Sequence, residues 1–338
     1  MPPTAWFMAR HFKKGIPLRP LSHSLPIRCT AQQDESGMGF LLRSATANGL
    51  SLHGLRDLAG LSSVRTFWCS DARHFARVLD MPEAELQDLL VDKGKYMGQP
   101  SCRLREQPFF RTELLRLRKP QICVDCIHRS GYCKAMWDCR LYTVCHLHRK
   151  PMVERCKSCR APLRWYRPAV DVCQCGAYFR ALSEGDWNQD SPEVVVATWI
   201  AEHCAEQGRD WCDDSSLPIW MDALSLDGLC TLIQAMGVPV TSNQRVVNSS
   251  LASEPVQFWQ AVCVRAVERL RTLARSSNPT ALAPTTWEGA LEGWALATVS
   301  RADQQVALKL LREIFRTEIV ARFGSQRTAL CQMCLFED

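Results

Sequence analysis

Four closely spaced pairs of metal-ligand residues between positions 123 and 175 constrain this chain more than anything else in it. Residues 123–159 alone hold seven cysteines and three histidines. Zinc takes four ligands in a tetrahedron, and a C-x-x-C turn supplies two of them from one knuckle. The half-sites are Cys123 with Cys126, Cys145 with His148, Cys156 with Cys159, and Cys173 with Cys175, the last followed by Gly176. Sequential pairing puts Cys123, Cys126, Cys145 and His148 on one Zn2+ and Cys156, Cys159, Cys173 and Cys175 on a second. A cross-braced pairing, first with third and second with fourth, is also compatible with the spacing. His146 competes with His148, but the two-residue gap after Cys145 favours His148. Cys133, Cys139, His128 and His146 are left over, the two thiols as packed side chains.

A catalytic zinc keeps one position for water and has a carboxylate base nearby. Here both sets can be filled by four protein groups, and neither H-x-E…P-C-x-x-C nor H-E-x-x-H occurs. The two ions are therefore expected to be structural and the chain not to be an enzyme. The whole chain has 18 cysteines, and its opening MPPTAWFMARHFKKG is too short in apolar residues for a secretory h-region. In a reducing, cytoplasmic setting such pairs mean metal before disulfides. Cysteines 29, 69, 102, 204, 212, 230 and 263 read as small buried hydrophobes. Cys331 and Cys334 form a further half-site with no evident partner, read as a chance pair. No run approaches the ~18 apolar residues of a membrane span.

Charge is unevenly spread. Residues 1–99 carry 12 Lys/Arg against 9 Asp/Glu, residues 100–170 carry 16 against 5, and residues 171–338 carry 13 against 21. A basic middle beside an acidic tail suggests one surface for nucleic acid and another for a protein partner. The candidate nucleic-acid residues are Arg129, Lys134, Arg140, Arg149, Lys150, Arg155, Lys157, Arg160, Arg164 and Arg167. They are interleaved with Tyr132, Trp137, Tyr142, Trp165 and Tyr166, and cations with aromatics suit phosphate contact and base stacking. Trp137 fits a small hydrophobic centre between the zinc sites better than a contact surface. An acidic protein partner is the competing reading of the cluster.

Periodicity predicts a mainly α protein with small zinc-ribbon elements. Residues 1–33 lack a period and read as a disordered lead-in. Over 34–119 the chain is helical and helix-turn-helix-like. Met38, Leu41, Leu42 and Ala45 line a first helix stopped by Asn48-Gly49, and Ser51 caps a second, with Leu52, Leu55 and Leu58 on one face. A similar pair follows, with Phe75, Val78 and Leu79, a turn at Asp80, Pro82 at the first helical position, then Leu86, Leu89 and Leu90. Residues 97–119 read as a polar, Arg-rich approach to a tandem zinc-binding module at 120–182. A C-terminal α-helical domain occupies 190–330, with helices at 192–207, 225–236, 254–275, 286–297 and 301–323. Trp199, Trp259, Trp287 and Trp294 serve its core.

Taken together, ESGMGFLLRSATANGLS at the start of the helical part, Cys123 and Cys126 followed by Trp137, Thr143, Val144, Cys145 and His148, and the later C-x-x-C…C-x-C-G resemble the TniQ family. The resemblance runs over roughly residues 25–180 and departs from the family at His146, where proline is usual, and at the C-x-C half-site. It implies a transposition accessory protein related to TnsD proteins, acting in target-site selection. The implied partners are an AAA+ ATPase regulator, a transposase complex, and DNA or an RNA-guided effector complex, with a homodimer also open. The alternative is a stand-alone zinc-containing helix-turn-helix regulator.

Overall fold

The computed structural model describes residues 24–61, 66–96, 99–105, 107–110, 114–180, 187–204, 218–239, 251, 253–275, 286–298 and 300–315. Helix α1 spans Gly37–Ala47 and buries Met38, Leu41, Leu42 and Ala45, the stripe its sequence lays down. It stops at Asn48, with Gly49 in the left-handed region at φ 67°. Helix α2, Leu52–Leu58, opens on the Ser51 side chain, which accepts from Gly54 N–H at 3.1 Å. Helices α3, Ala72–Leu79, and α4, Glu83–Leu89, form the second pair, turned by Asp80 at φ 52°. Pro82 stands one place earlier than expected, as the residue before the helix, where its extended backbone and missing N–H cost nothing.

Residues 24–33, expected to be loose, are tied down. Leu25 is buried and donates its N–H to Val78 O at 2.8 Å. Asn48 pairs with both backbone groups of Ile27, each at 2.8 Å. The polar side chain that ends α1 thus supplies the hydrogen bonds that a short aperiodic stretch cannot make alone. The rest of the expected lead-in, residues 1–23, lies outside the described residues.

Three strands that periodicity does not announce follow α4: β1 Asp92–Tyr96, β2 Gln99–Leu104 and β3 Gln107–Phe109, antiparallel in the order β1-β2-β3. Among the described side chains of these strands, Cys102, Leu104 and Phe109 carry the buried face, with Arg103 exposed between the first two. Two alternating positions in an Arg-rich run are too few to stand out as a period-2 signal.

The cysteine-rich segment contains helix α5, Val124–Ser130, and a 3-10 turn at Ala135–Asp138, joined by isolated β-bridges rather than by long strands. After it come α6 Pro192–Cys204, α7 Leu226–Gly237, α8 Val256–Arg275, α9 Thr286–Ala297 and α10 Arg301–Phe315. All five expected C-terminal helices are present; the expected extensions to 207 and 323 lie outside the described residues. Helix α7 packs on α8, α9 on α10, and α6 on both α8 and the 3-10 turn.

One hydrophobic cluster runs from Leu25 to Leu311 through all of these parts, with Trp137, Trp259 and Trp294 among its largest fully buried side chains. Trp199 is buried as well; the side chain of Trp287 is outside the described residues. Cys102, Cys230 and Cys263 are buried as expected, whereas Cys29, Cys69 and Cys204 are half-buried and Cys212 is outside the described residues. Cys29 and Cys69 sit at the margins, one before α1 and one opening the turn into α3. Among the described residues no helix is long and apolar enough to cross a membrane.

Candidate metal centres

The structure brings the eight candidate ligands into two groups of four, paired sequentially: Cys123, Cys126, Cys145 and His148, then Cys156, Cys159, Cys173 and Cys175. In the first, His148 Nδ1 stands 3.5 Å from Cys123 Sγ, 3.2 Å from Cys126 Sγ and 3.6 Å from Cys145 Sγ, and Cys126 and Cys145 Sγ are 3.6 Å apart. In the second, Cys156 and Cys175 Sγ are 3.8 Å apart, as are Cys159 and Cys173 Sγ. Ligands about 2.0–2.3 Å from a tetrahedral zinc stand about 3.3–3.8 Å from one another. A disulfide would need sulfurs about 2.0 Å apart. Both donor sets, soft thiolates with one imidazole, and both sets of edges therefore fit a tetrahedral zinc.

Local backbone explains how the ligands converge. Three half-sites share one knuckle. The residue after the second ligand donates its N–H to the carbonyl of the first: Arg149 to Cys145 at 2.7 Å, Arg160 to Cys156 at 2.8 Å, Gly176 to Cys173 at 2.9 Å. The N–H of each first ligand then donates to the next carbonyl, those of Lys150, Ala161 and Ala177, at 2.9, 3.0 and 2.9 Å. So tight a reversal forces a left-handed residue, with φ 52° at Arg149, 59° at Arg160 and 86° at Gly176. The C-x-C knuckle has one residue fewer in its loop, and there the chain uses glycine. The remaining half-site is helical: Cys123 precedes α5 and Cys126 lies in its first turn, with Ile127 N–H donating to Cys123 O at 3.0 Å.

The two centres differ in depth. Cys123, Cys126 and Cys145 are at most 3% exposed, whereas Cys159 and Cys175 lie at the surface. In the buried centre the thiols divide by acidity, one held low and two pushed up. Hydrogen bonds from Cys123 and Cys126 hold Cys145 well below the ordinary thiol range, and contacts with Cys123 and Cys145 push Cys126 far above it. A divalent cation removes that division, because it lets every ligand deprotonate. His148 Nε2 is buried and without a hydrogen-bond partner among the described residues.

The leftover residues have other work. His146 Nδ1 meets the Tyr142 hydroxyl at 2.7 Å, and burial lowers its pKa. His128 Nε2 meets Phe179 O at 3.0 Å. Cys133 and Cys139 are buried. A Cβ at Gly39 would come within 2.7 Å of Cys133 Cβ, so α1 lies directly on this segment.

The ten candidate nucleic-acid residues separate into three sets. Arg129, Arg149, Arg155, Lys157, Arg160 and Arg164 are exposed, and none has an ion pair among the described residues. Lys134, Lys150 and Arg140 are half-buried; Lys134 pairs with Asp34, Lys150 with Asp125 at 3.3 Å, and Arg140 bonds Leu115 O at 3.3 Å. Arg167 does not belong to the surface at all. It is 2% exposed and donates to Arg164 O, Ala169 O and Val170 O at 2.9–3.2 Å and to Cys133 Sγ at 3.5 Å. A guanidinium with five donors can serve as a knot for a loop whose carbonyls lack other partners, and that use is invisible in the sequence. The interleaved aromatics are mostly core: Trp137, Tyr142 and Trp165 are buried, and Tyr166 stacks on His53 of α2 at 4.2 Å. Sequence reading misses Glu154, whose carboxylate takes Arg116 Nη2 at 2.6 Å and Val256 N–H at 3.1 Å.

Fold and site together define a mainly helical protein with a three-stranded sheet, built around two tetrahedral cysteine-rich clusters resembling zinc sites. The TniQ family model matches residues 26–152, and the chain carries a TniQ domain over that span. The match takes in the whole buried cluster and ends before Cys156. Such domains mark transposition-associated, target-selecting accessory proteins that are generally not catalytic. No curated protein matches the chain.

Proposed function

We propose that this chain is a non-enzymatic transposition accessory protein that links DNA or a targeting complex to an AAA+ transposition regulator. The TniQ domain over residues 26–152 carries the reading. Both metal centres are zinc sites of structural type, with Cys123, Cys126, Cys145 and His148 on one ion and Cys156, Cys159, Cys173 and Cys175 on the other, leaving no position for a reacting water. Loaded zinc would fix the knuckles and, through them, the basic surface.

Charge supports nucleic-acid contact by that surface. Residues 120–180 hold eleven Lys/Arg and four Asp/Glu, a net of +7. Zinc with three thiolates and a histidine adds −1 and zinc with four thiolates adds −2, so the module stays at +4 after both centres are filled. The six exposed cations lack ion-pair partners among the described residues, which leaves them available to phosphate.

The test is binding of DNA and RNA by the zinc-loaded protein across a salt series, with capture of an AAA+ transposition ATPase. Reversing Arg149, Arg155, Lys157 and Arg160 to glutamate should reduce the slope of log K against log salt by about 0.7–0.9 for each phosphate that is no longer neutralised. Unchanged slope and affinity would remove this surface from the function, and failure to capture the ATPase at low and moderate salt would remove the adaptor role.

A further inference from the structure

A recess of about 490 Å³ opens beside the exposed metal centre, between α5 and the knuckles at 156–160 and 173–176. Val124, Val153 and Phe179 form its apolar part, and Lys157, Tyr178 and Arg180 complete the wall. Among the described residues, no acidic side chain lines it. We propose that this recess holds one unpaired base of a single-stranded nucleic acid, stacked on Tyr178, with Lys157 and Arg180 on the flanking phosphates. The proposal rests on the nucleic-acid reading above and adds the class of strand and the place where it is held.

Tyr178 carries the argument. Most large aromatics of the segment are buried, with Tyr142 at 0%, Trp137 at 1% and Trp165 at 4% exposed, and Tyr132 and Tyr166 are half-buried, yet Tyr178 is 71% exposed. Its side chain has no hydrogen bond or ring contact among the described residues. A bare aromatic face beside an apolar floor and cations is the arrangement that binds strands without regard to sequence, because every base offers a π-face. The volume falls in the range of small-molecule pockets, about 300–1,000 Å³. A duplex keeps its bases paired and stacked inside, so only an unpaired or extruded base can enter. Lys157 and Arg180 have no ion pair among the described residues. An acidic peptide would satisfy those two cations but has no use for the exposed ring.

The experiment compares the full zinc-loaded chain with Tyr178→Ala and Tyr178→Phe, using fluorescence anisotropy on 15-mer single strands of DNA and of RNA with the same sequence, and on the DNA duplex. Metal content checks that both variants fold. Loss of one stacked base should weaken single-strand binding of Tyr178→Ala by about 5- to 150-fold. Tyr178→Phe should bind like the parent, and duplex affinity should not change. A larger loss with RNA than with DNA, or the reverse, identifies the strand that occupies the recess. If Tyr178→Ala binds single strands normally while the four-cation reversal does not, the subsite is wrong and the nucleic-acid reading stands. If the parent binds no nucleic acid at low salt, both fail. If Tyr178→Ala instead loses affinity only for a poly-glutamate peptide, the recess is a peptide site and the proposal is overturned.

Discussion

Asp138 shows what one buried carboxyl does to this fold. It lies under α1, accepts from Ser36 Oγ at 3.1 Å, and has its pKa raised from 3.8 to about 7. Burial is the cause; the Ser36 hydrogen bond and the charge of Arg116 oppose it. Between about pH 4 and pH 7 the folded chain keeps a proton here that the unfolded chain has lost. The group's contribution to stability is therefore full below pH 4 and is lost as pH rises to 7. Asp138→Asn should flatten this part of the profile and be relatively more stable at pH 8 than at pH 5. The gap between the two proteins should change by at most about 1.4 kcal/mol per pH unit, one proton's worth. Parallel denaturation midpoints for the two proteins across that range would refute the assignment. Residue type alone says little about such positions. Arg167 reads in the sequence as one more surface cation, and only its carbonyl partners reveal a buried knot.

Elements are legible where a local rule governs them. The Ser51 cap, the Asn48-Gly49 stop and the Asp80 turn are set by neighbours within four residues, and each is where the sequence puts it. Spacing alone leaves the metal pairing open, because either pairing closes loops a zinc module can accommodate; the fold decides it by bringing Cys145 and His148 to Cys123 and Cys126. Strands β1–β3 are hidden, since β3 packs on α7 and β1 on the turn at Cys69–Asp71, contacts that their own short pattern does not announce. The knuckles invite a direct test. A left-handed conformation costs an ordinary residue about 1–2 kcal/mol, and glycine gives back about 0.5–1 kcal/mol through its freer unfolded chain. Arg160→Gly should therefore stabilise the loaded protein by roughly 0.5–1 kcal/mol, and Gly176→Ala should weaken it by a similar amount, roughly 0.5–1 kcal/mol. Denaturation midpoints and competition with a chelator measure both; a destabilised Arg160→Gly would mean that its side chain matters more to the knuckle than its backbone does.

For the molecule as a whole, the continuous core decides what metal removal will do. The buried centre shares that core with the C-terminal helices: Cys139 Sγ lies 3.7 Å from Cys230 Sγ of α7, and Cys263 of α8 donates to Leu141 O at 3.6 Å. The other centre stands at the surface on Cys159 and Cys175. Chelation should accordingly proceed in two steps. The exposed ion should leave first with little change in far-ultraviolet circular dichroism. Loss of the buried ion should coincide with loss of the near-ultraviolet tryptophan signal and of helix. Cys159→Ser should reproduce the first step and Cys126→Ser the second. Release of both ions in one step, or a metal-free protein with an intact tryptophan signal, would contradict this picture.

Glu154 gives the arrangement a mechanical consequence. Its carboxylate grips Arg116 on one side and the first backbone N–H of α8 on the other, two residues ahead of Cys156. The start of the longest described helix is thus tied to the strip of chain leading into the exposed knuckle, in addition to its packing in the core. Whatever seats on that surface therefore pulls on the first turn of α8.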